Sequence, residues 1–185
     1  SVCGTYAIAA NAVAGTITTL NILPGTALGL AMLSVISVCV GAGDYEQAKF
    51  YTKKLMVQIH ICIGVISLLL IFCTPLIVKA YHLSPQAAEL AEKLLRYHAV
   101  CAMLFWPESF SLPNTLRAAN DVHFTMGISV FSMWVFRIIF SYLFVKLFGM
   151  GVFGVWIAMT IDWLFRAIVF SIRYIRGKWK LKYVK

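Results

Sequence analysis

Acid is what this chain has least of: seven Asp and Glu among 185 residues, against sixteen Lys and Arg, with charged residues only 12% of the total. So little charge is far from the balance of a soluble domain. The first charged side chain is Asp44, so no basic n-region precedes the opening apolar run and a cleavable signal peptide is not expected. The chain starts at Ser1, not at an initiator methionine, and the expectation is that it forms the downstream part of a longer protein. Cysteine is scarce and unpatterned. Cys3, Cys39, Cys62, Cys73 and Cys101 show no CxxC spacing and mostly fall in apolar runs, as small apolar fillers do and as a disulfide framework or metal site does not. The four histidines form no cluster, and only Asp121-Val-His123 sets one beside an acid, which speaks against a membrane enzyme such as an acyl or prenyl transferase. Nucleic acid is not an expected partner, since no soluble module is present to bind it. The net charge of +9 is instead read as topology and attraction to anionic membrane lipid.

Apolar residues are what the chain has in excess. They make up 61% of it, mean hydropathy is +0.85, and the fold class expected is an all-α integral membrane protein with five transmembrane helices. The spans run over about 6–40, 55–78, 94–118, 124–147 and 152–174, and a basic tail occupies 175–185. The first span is interrupted by Pro24 and Gly25, and Gly25 with Gly29 makes a GxxxG spacing that lets a neighbouring helix come close. Asp44 is placed to cap the next helix, with Gln47 as its capping-box partner, and Ser84-Pro85 to open the third. Gly149-Met-Gly151 turns the chain between spans four and five, and Trp179 and Tyr183 in the tail are expected as interfacial anchors. Five spans alternate sides. One side collects ten cations, Lys49, Lys53, Lys54, Arg117 and the six of the tail, and the other collects Lys79, Lys93, Arg96 and Lys146. The positive-inside rule then puts the C-terminus in the cytoplasm and Ser1 outside.

The stretch Trp106–Asp121, WPESFSLPNTLRAAND, is wrong for a helix facing lipid. Pro107 and Pro113 each remove a backbone donor and bend the helix, and Glu108 in hydrocarbon costs roughly 2.5 kcal/mol even on the lenient insertion scale. Such a segment must face protein or water, as the pathway of a transporter does. Pro24, Pro107 and Pro113 are the expected bending points. Four ionisable side chains fall at membrane depth: Glu108, Arg137, Asp162 and Arg166. Arg166 follows Asp162 by one helical turn, and Arg137 and Glu108 come to similar depths at about 1.5 Å per residue. They serve either as mutually neutralising pairs that fix packing or as ion and substrate ligands, with Glu108, flanked by helix breakers and near an arginine, the leading candidate for function. His60, one turn into its span, is read as interfacial and not as a proton relay. Asn11, Asn21 and Asn114 are read as interhelical hydrogen-bonders. Phe105, Trp106, Phe110, Trp134, Trp156 and Trp163 are packing residues first, with stacking on a flat cationic substrate the alternative.

The chain resembles the C-terminal half of the multidrug and toxic compound extrusion (MATE) family of efflux transporters. The likeness is carried by YAIAANAVAGTI leading into a Pro-broken helix, GAGDYEQAK (Gly41 to Lys49), LPNTLRAAND (Leu112 to Asp121) and GVWIAMTIDWLFRA (Gly154 to Ala167), and it covers essentially the whole chain. It implies a twelve-helix transporter of two six-helix lobes, exporting organic cations or drugs in exchange for protons or sodium. This chain would supply helices eight to twelve, most of the C-terminal lobe. Its partners would be a drug-like substrate, membrane lipid and the absent N-terminal lobe, with no cofactor beyond the coupling ion. Family cation sites in this lobe use an acid on the tenth helix, and Glu108 is the acid inside that helix here. The location implied is the bacterial cytoplasmic membrane. Alternatives are a related flippase for lipid-linked saccharides, which needs a larger and more cationic cavity than Arg137 and Arg166 suggest, and an inactive partial transporter chain.

Overall fold

The computed structural model describes residues 4–177 together with Trp179 and Lys180. Lys178, Lys182, Tyr183 and Lys185 of the expected basic tail, and Cys3, lie outside the described residues. Among the described residues the chain forms five helical rods and no strand. The first is α1 (Gly4–Gly41) and the second α2 (Tyr45–Ala80). The third runs as α3 (Pro85–Trp106), a π-helical segment (Pro107–Ser111) and α4 (Leu112–Ala118). The fourth runs as α5 (Val122–Ser132), a second π segment (Met133–Phe140) and α6 (Ser141–Lys146), and α7 (Gly151–Ile175) is the fifth. Four rods are long and apolar enough to cross a bilayer by length and composition. The third is not among them, because Glu89, Glu92, Lys93, Arg96 and Glu108 interrupt its apolar run.

Local chemistry explains most boundaries. Asp44 caps α2, its carboxylate accepting from the Gln47 backbone N–H at 2.9 Å, but the Gln47 side chain does not complete the capping box. It turns to the Cys39 thiol instead, at 3.7 Å. The helix that Asp44 caps runs on through the second span without interruption, because nothing between Asp44 and Leu55 breaks the backbone ladder. Ser84 accepts from Ala87 at 3.4 Å with Pro85 at the first helical position, where its missing N–H costs nothing. Gly149 and Gly151 both take positive φ, +61° and +57°, which the tight turn between α6 and α7 requires.

α1 packs against α2 and the third rod through small residues, and α7 packs on the other side of the third rod. Asn21 hydrogen-bonds Ser67 at 3.2 Å, Asn114 donates to the Gly29 carbonyl at 2.9 Å, and Trp156 donates to Asn11 at 2.9 Å. These are the interhelical bonds expected of the asparagines. The fourth rod touches mainly α7, and its outer face is apolar and open, as a lipid-facing surface is. At the chain's end Trp179 is not an interfacial anchor. It is 1% exposed, stacks on Tyr174 at 5.6 Å and meets Tyr45 edge-on, because the turn at Gly177 folds it back onto the bundle.

Candidate functional site

Each π segment carries one of the ionisable candidates. In the first, Pro107 and Pro113 have no N–H to give, and the Leu112 N–H reaches back five residues to the Pro107 carbonyl. Glu108 sits in this widened turn. Just before the second, at the end of α5, the Arg166 guanidinium from α7 donates to the Ser129 carbonyl at 3.2 Å and to the Ser132 hydroxyl at 2.7 Å. Arg137 lies within the second segment itself. π turns of this kind gather at functional sites.

Glu108 does not meet an arginine. Its Oε1 lies 2.8 Å from Nε2 of His60 on α2. Sequence arithmetic puts Glu108 and Arg166 at one depth, but they lie on opposite sides of the third rod. Phe110, two residues along, takes the guanidinium at 5.6 Å, while Glu108 faces α2. His60, read from sequence as interfacial, is therefore the partner that sequence reasoning missed. Its other nitrogen, Nδ1, is 2.8 Å from the Met56 carbonyl. A carbonyl only accepts, so Nδ1 carries a hydrogen, and Nε2 and the carboxylate share one proton between them. The pair is a histidinium with a carboxylate or a neutral imidazole with a carboxylic acid. Losing that proton leaves two acceptors face to face and one net negative charge. The side chains are 37% and 28% exposed, and Glu108 Oε2 is buried with no hydrogen-bond partner among the described residues. His60 lies six residues beyond Lys54 and Glu108 nine before Arg117, so the pair sits roughly 9–13 Å inside that ring of cations.

Asp162 and Arg166 pair with each other, Oδ1 to Nε at 2.9 Å, and are 0% and 8% exposed. Ser129 and Ser132 also accept from this guanidinium, which makes the pair a buried packing unit, while Asp162 Oδ2 has no hydrogen-bond partner among the described residues. Arg137 joins neither acid. Arg137, itself exposed, lines an open cavity of about 650 Å³ bordered by α1, the third rod, the fourth rod and α7, whose walls include Asn11, Thr18, Trp106, Phe110, Trp156 and Trp163. Trp106 and Phe110 stack at 5.4 Å, and Trp163 meets Phe110 edge-on at 5.8 Å. Of the bending candidates, Pro24 lies within an unbroken α1, and Pro107 and Pro113 bracket the first π segment. No group of three His, Cys, Asp or Glu able to hold a metal occurs among the described residues.

The MatE family model matches residues 1–143. The chain belongs to the MatE family. Membership makes it an integral membrane protein and points to a transporter rather than an enzyme. This MatE chain is 23% identical over 186 residues to the probable multidrug resistance protein NorM of Thermotoga maritima, covering 99% of this chain and 39% of that relative. It is 26% identical over 185 residues to the uncharacterized transporter YisQ of Bacillus subtilis, covering 97% of this chain and 39% of that relative. The chain thus spans about two fifths of the length of the curated relatives it matches.

Proposed function

We propose that the protein exports drug-like organic compounds, organic cations among them, across a bacterial cytoplasmic membrane, in exchange for an inward-moving cation. The observation that carries the coupling half of this reading is the His60–Glu108 pair: one shared proton, an idle carboxylate oxygen, and a position inside the membrane on a π turn bracketed by prolines. A group that gains and loses charge on a backbone able to change its turn suits alternating access. The pair favours a proton over sodium as the coupling ion. Its two acceptor atoms, 2.8 Å apart, close on a hydrogen and would have to separate to admit a metal ion between them. The export half rests on family membership and on the resistance protein among the relatives. A flippase for lipid-linked saccharides gains less support. Arg166 is committed to Asp162, and Arg137 is left as the one cation lining the cavity among the described residues.

The test is drug accumulation in an efflux-deficient host carrying the complete protein, with Glu108→Gln and His60→Asn variants, under imposed proton or sodium gradients. Both variants are expected to drop export to the empty-host level under a proton gradient. Unchanged export and unchanged pH dependence in Glu108→Gln would reject the coupling role. Export driven by sodium alone, indifferent to His60→Asn, would keep the efflux reading and reject the proton.

A further inference from the structure

The cavity beside the third rod has a charge opposite to that expected of a site for organic cations. Arg137 enters it from the second π segment, and among the described residues Arg137 has no hydrogen-bond or ion-pair partner. Among the described residues no carboxylate lines this cavity. The two acids at membrane depth point elsewhere, Asp162 to Arg166 and Glu108 to His60 across the rod. Arg137 is exposed where it lines the cavity, and a cation left uncompensated at membrane depth costs roughly 2.5 kcal/mol or more. Arg137 is nine residues before Lys146, about 14 Å below that end of the rod, too deep for a lipid headgroup to neutralise it without leaving the interface. A ligand that brings negative charge into the cavity would compensate Arg137.

The walls describe the rest of such a ligand. Trp106, Phe110, Trp156 and Trp163 present aromatic surface, and 650 Å³ lies within the range of sites that enclose a small molecule. We propose that this cavity binds an aromatic organic anion, with its carboxylate or sulfonate on Arg137 and its ring system among the tryptophans. The inference goes beyond cation export and does not depend on the His60–Glu108 pair, which lies on the far side of the third rod.

The probe is 2-naphthoate, and its control is 2-naphthylmethylammonium, the same rings with the opposite charge. The complete protein is placed in phosphatidylcholine nanodiscs, and binding is measured by equilibrium dialysis with empty nanodiscs subtracted. Naphthoate is expected to bind more tightly than the ammonium. Arg137→Gln should weaken naphthoate about tenfold or more, the size of one charge-assisted contact, and should not weaken the ammonium. Arg137→Lys, which keeps the charge, should recover most of the loss. Because the lysine variant must rescue what the glutamine variant loses, simple misfolding cannot imitate the expected pattern. Equal or tighter binding of the ammonium, or naphthoate binding indifferent to Arg137→Gln, would overturn the proposal. The same result would follow if a carboxylate from another part of the complete protein already occupied Arg137.

Discussion

At the scale of single residues, the two paired acids within the helical spans, Asp162 and Glu108, differ in their surroundings. Asp162 and Arg166 are almost fully buried and paired with each other, and Ser129 and Ser132 also accept from the guanidinium. Removing one partner strands a buried charge. Asp162→Ala is expected to lower stability by roughly 3–5 kcal/mol, read as the midpoint of thermal unfolding in detergent. The double variant Asp162→Leu with Arg166→Met should lose clearly less than Asp162→Ala, since no orphaned charge remains. A loss below about 1 kcal/mol in Asp162→Ala would show the pair to be solvated after all. This pair was readable from the sequence, because an acid four residues before a base shares its helix face by geometry alone. The His60–Glu108 pair was not. Its partners are 48 residues apart on different rods, and depth along a helix says nothing about which way a side chain points once a π turn has altered the register.

At the scale of elements, the contact between α1 and the third rod depends on what Gly25 lacks. A Cβ there would lie 2.6 Å from the Trp106 ring and 2.8 Å from Ile63 Cδ1, whereas a Cβ on Gly15 would meet nothing within 4 Å. Gly25→Ala should therefore destabilise by about 1–3 kcal/mol through overpacking, while Gly15→Ala should be neutral or gain up to ~1 kcal/mol of helix propensity. Equal melting temperatures for the two variants would contradict close packing at Gly25. The first π segment invites a second test. Pro113→Ala restores an N–H and lets the turn tighten toward α-helix, which would rotate Glu108 away from His60. The complete protein with this change is expected to reach the membrane in normal amount yet lose pH-dependent export as Glu108→Gln does; full export would detach the proline from the site. The order of the rods, the Ser84 and Asp44 caps and the glycine turn all follow from local sequence. The contacts of Arg166 with Ser129 and Ser132, just before the second π segment, do not, because they arrive from another helix.

For the whole molecule, the rods sort the cations by end. Arg173 grips the buried Asp121 with two hydrogen bonds, at 2.7 and 3.2 Å, and Glu46 meets both Lys49 and Lys180, so the loops after α1 and α4 and the end of α7 share one face of the bundle. Lys53, Lys54 and Arg117 belong to that face, and Lys79, Lys93, Arg96 and Lys146 to the other. This is the grouping that makes the positive-inside count meaningful, since a rod crossing the wrong way would have mixed the two sets. The richer face is expected to be cytoplasmic. In a background with the native cysteines replaced, Lys54→Cys should react with a membrane-impermeant maleimide only in inverted vesicles, and Lys79→Cys only in right-side-out cells. Both positions are exposed, so failure to label cannot be ascribed to burial. Labelling of Lys54→Cys from outside would invert the bundle. The His60–Glu108 pair would then lie in the outer half of the membrane, and a proton entering from outside would reach it first. Orientation thus decides not only where the tail lies but from which compartment the shared proton exchanges.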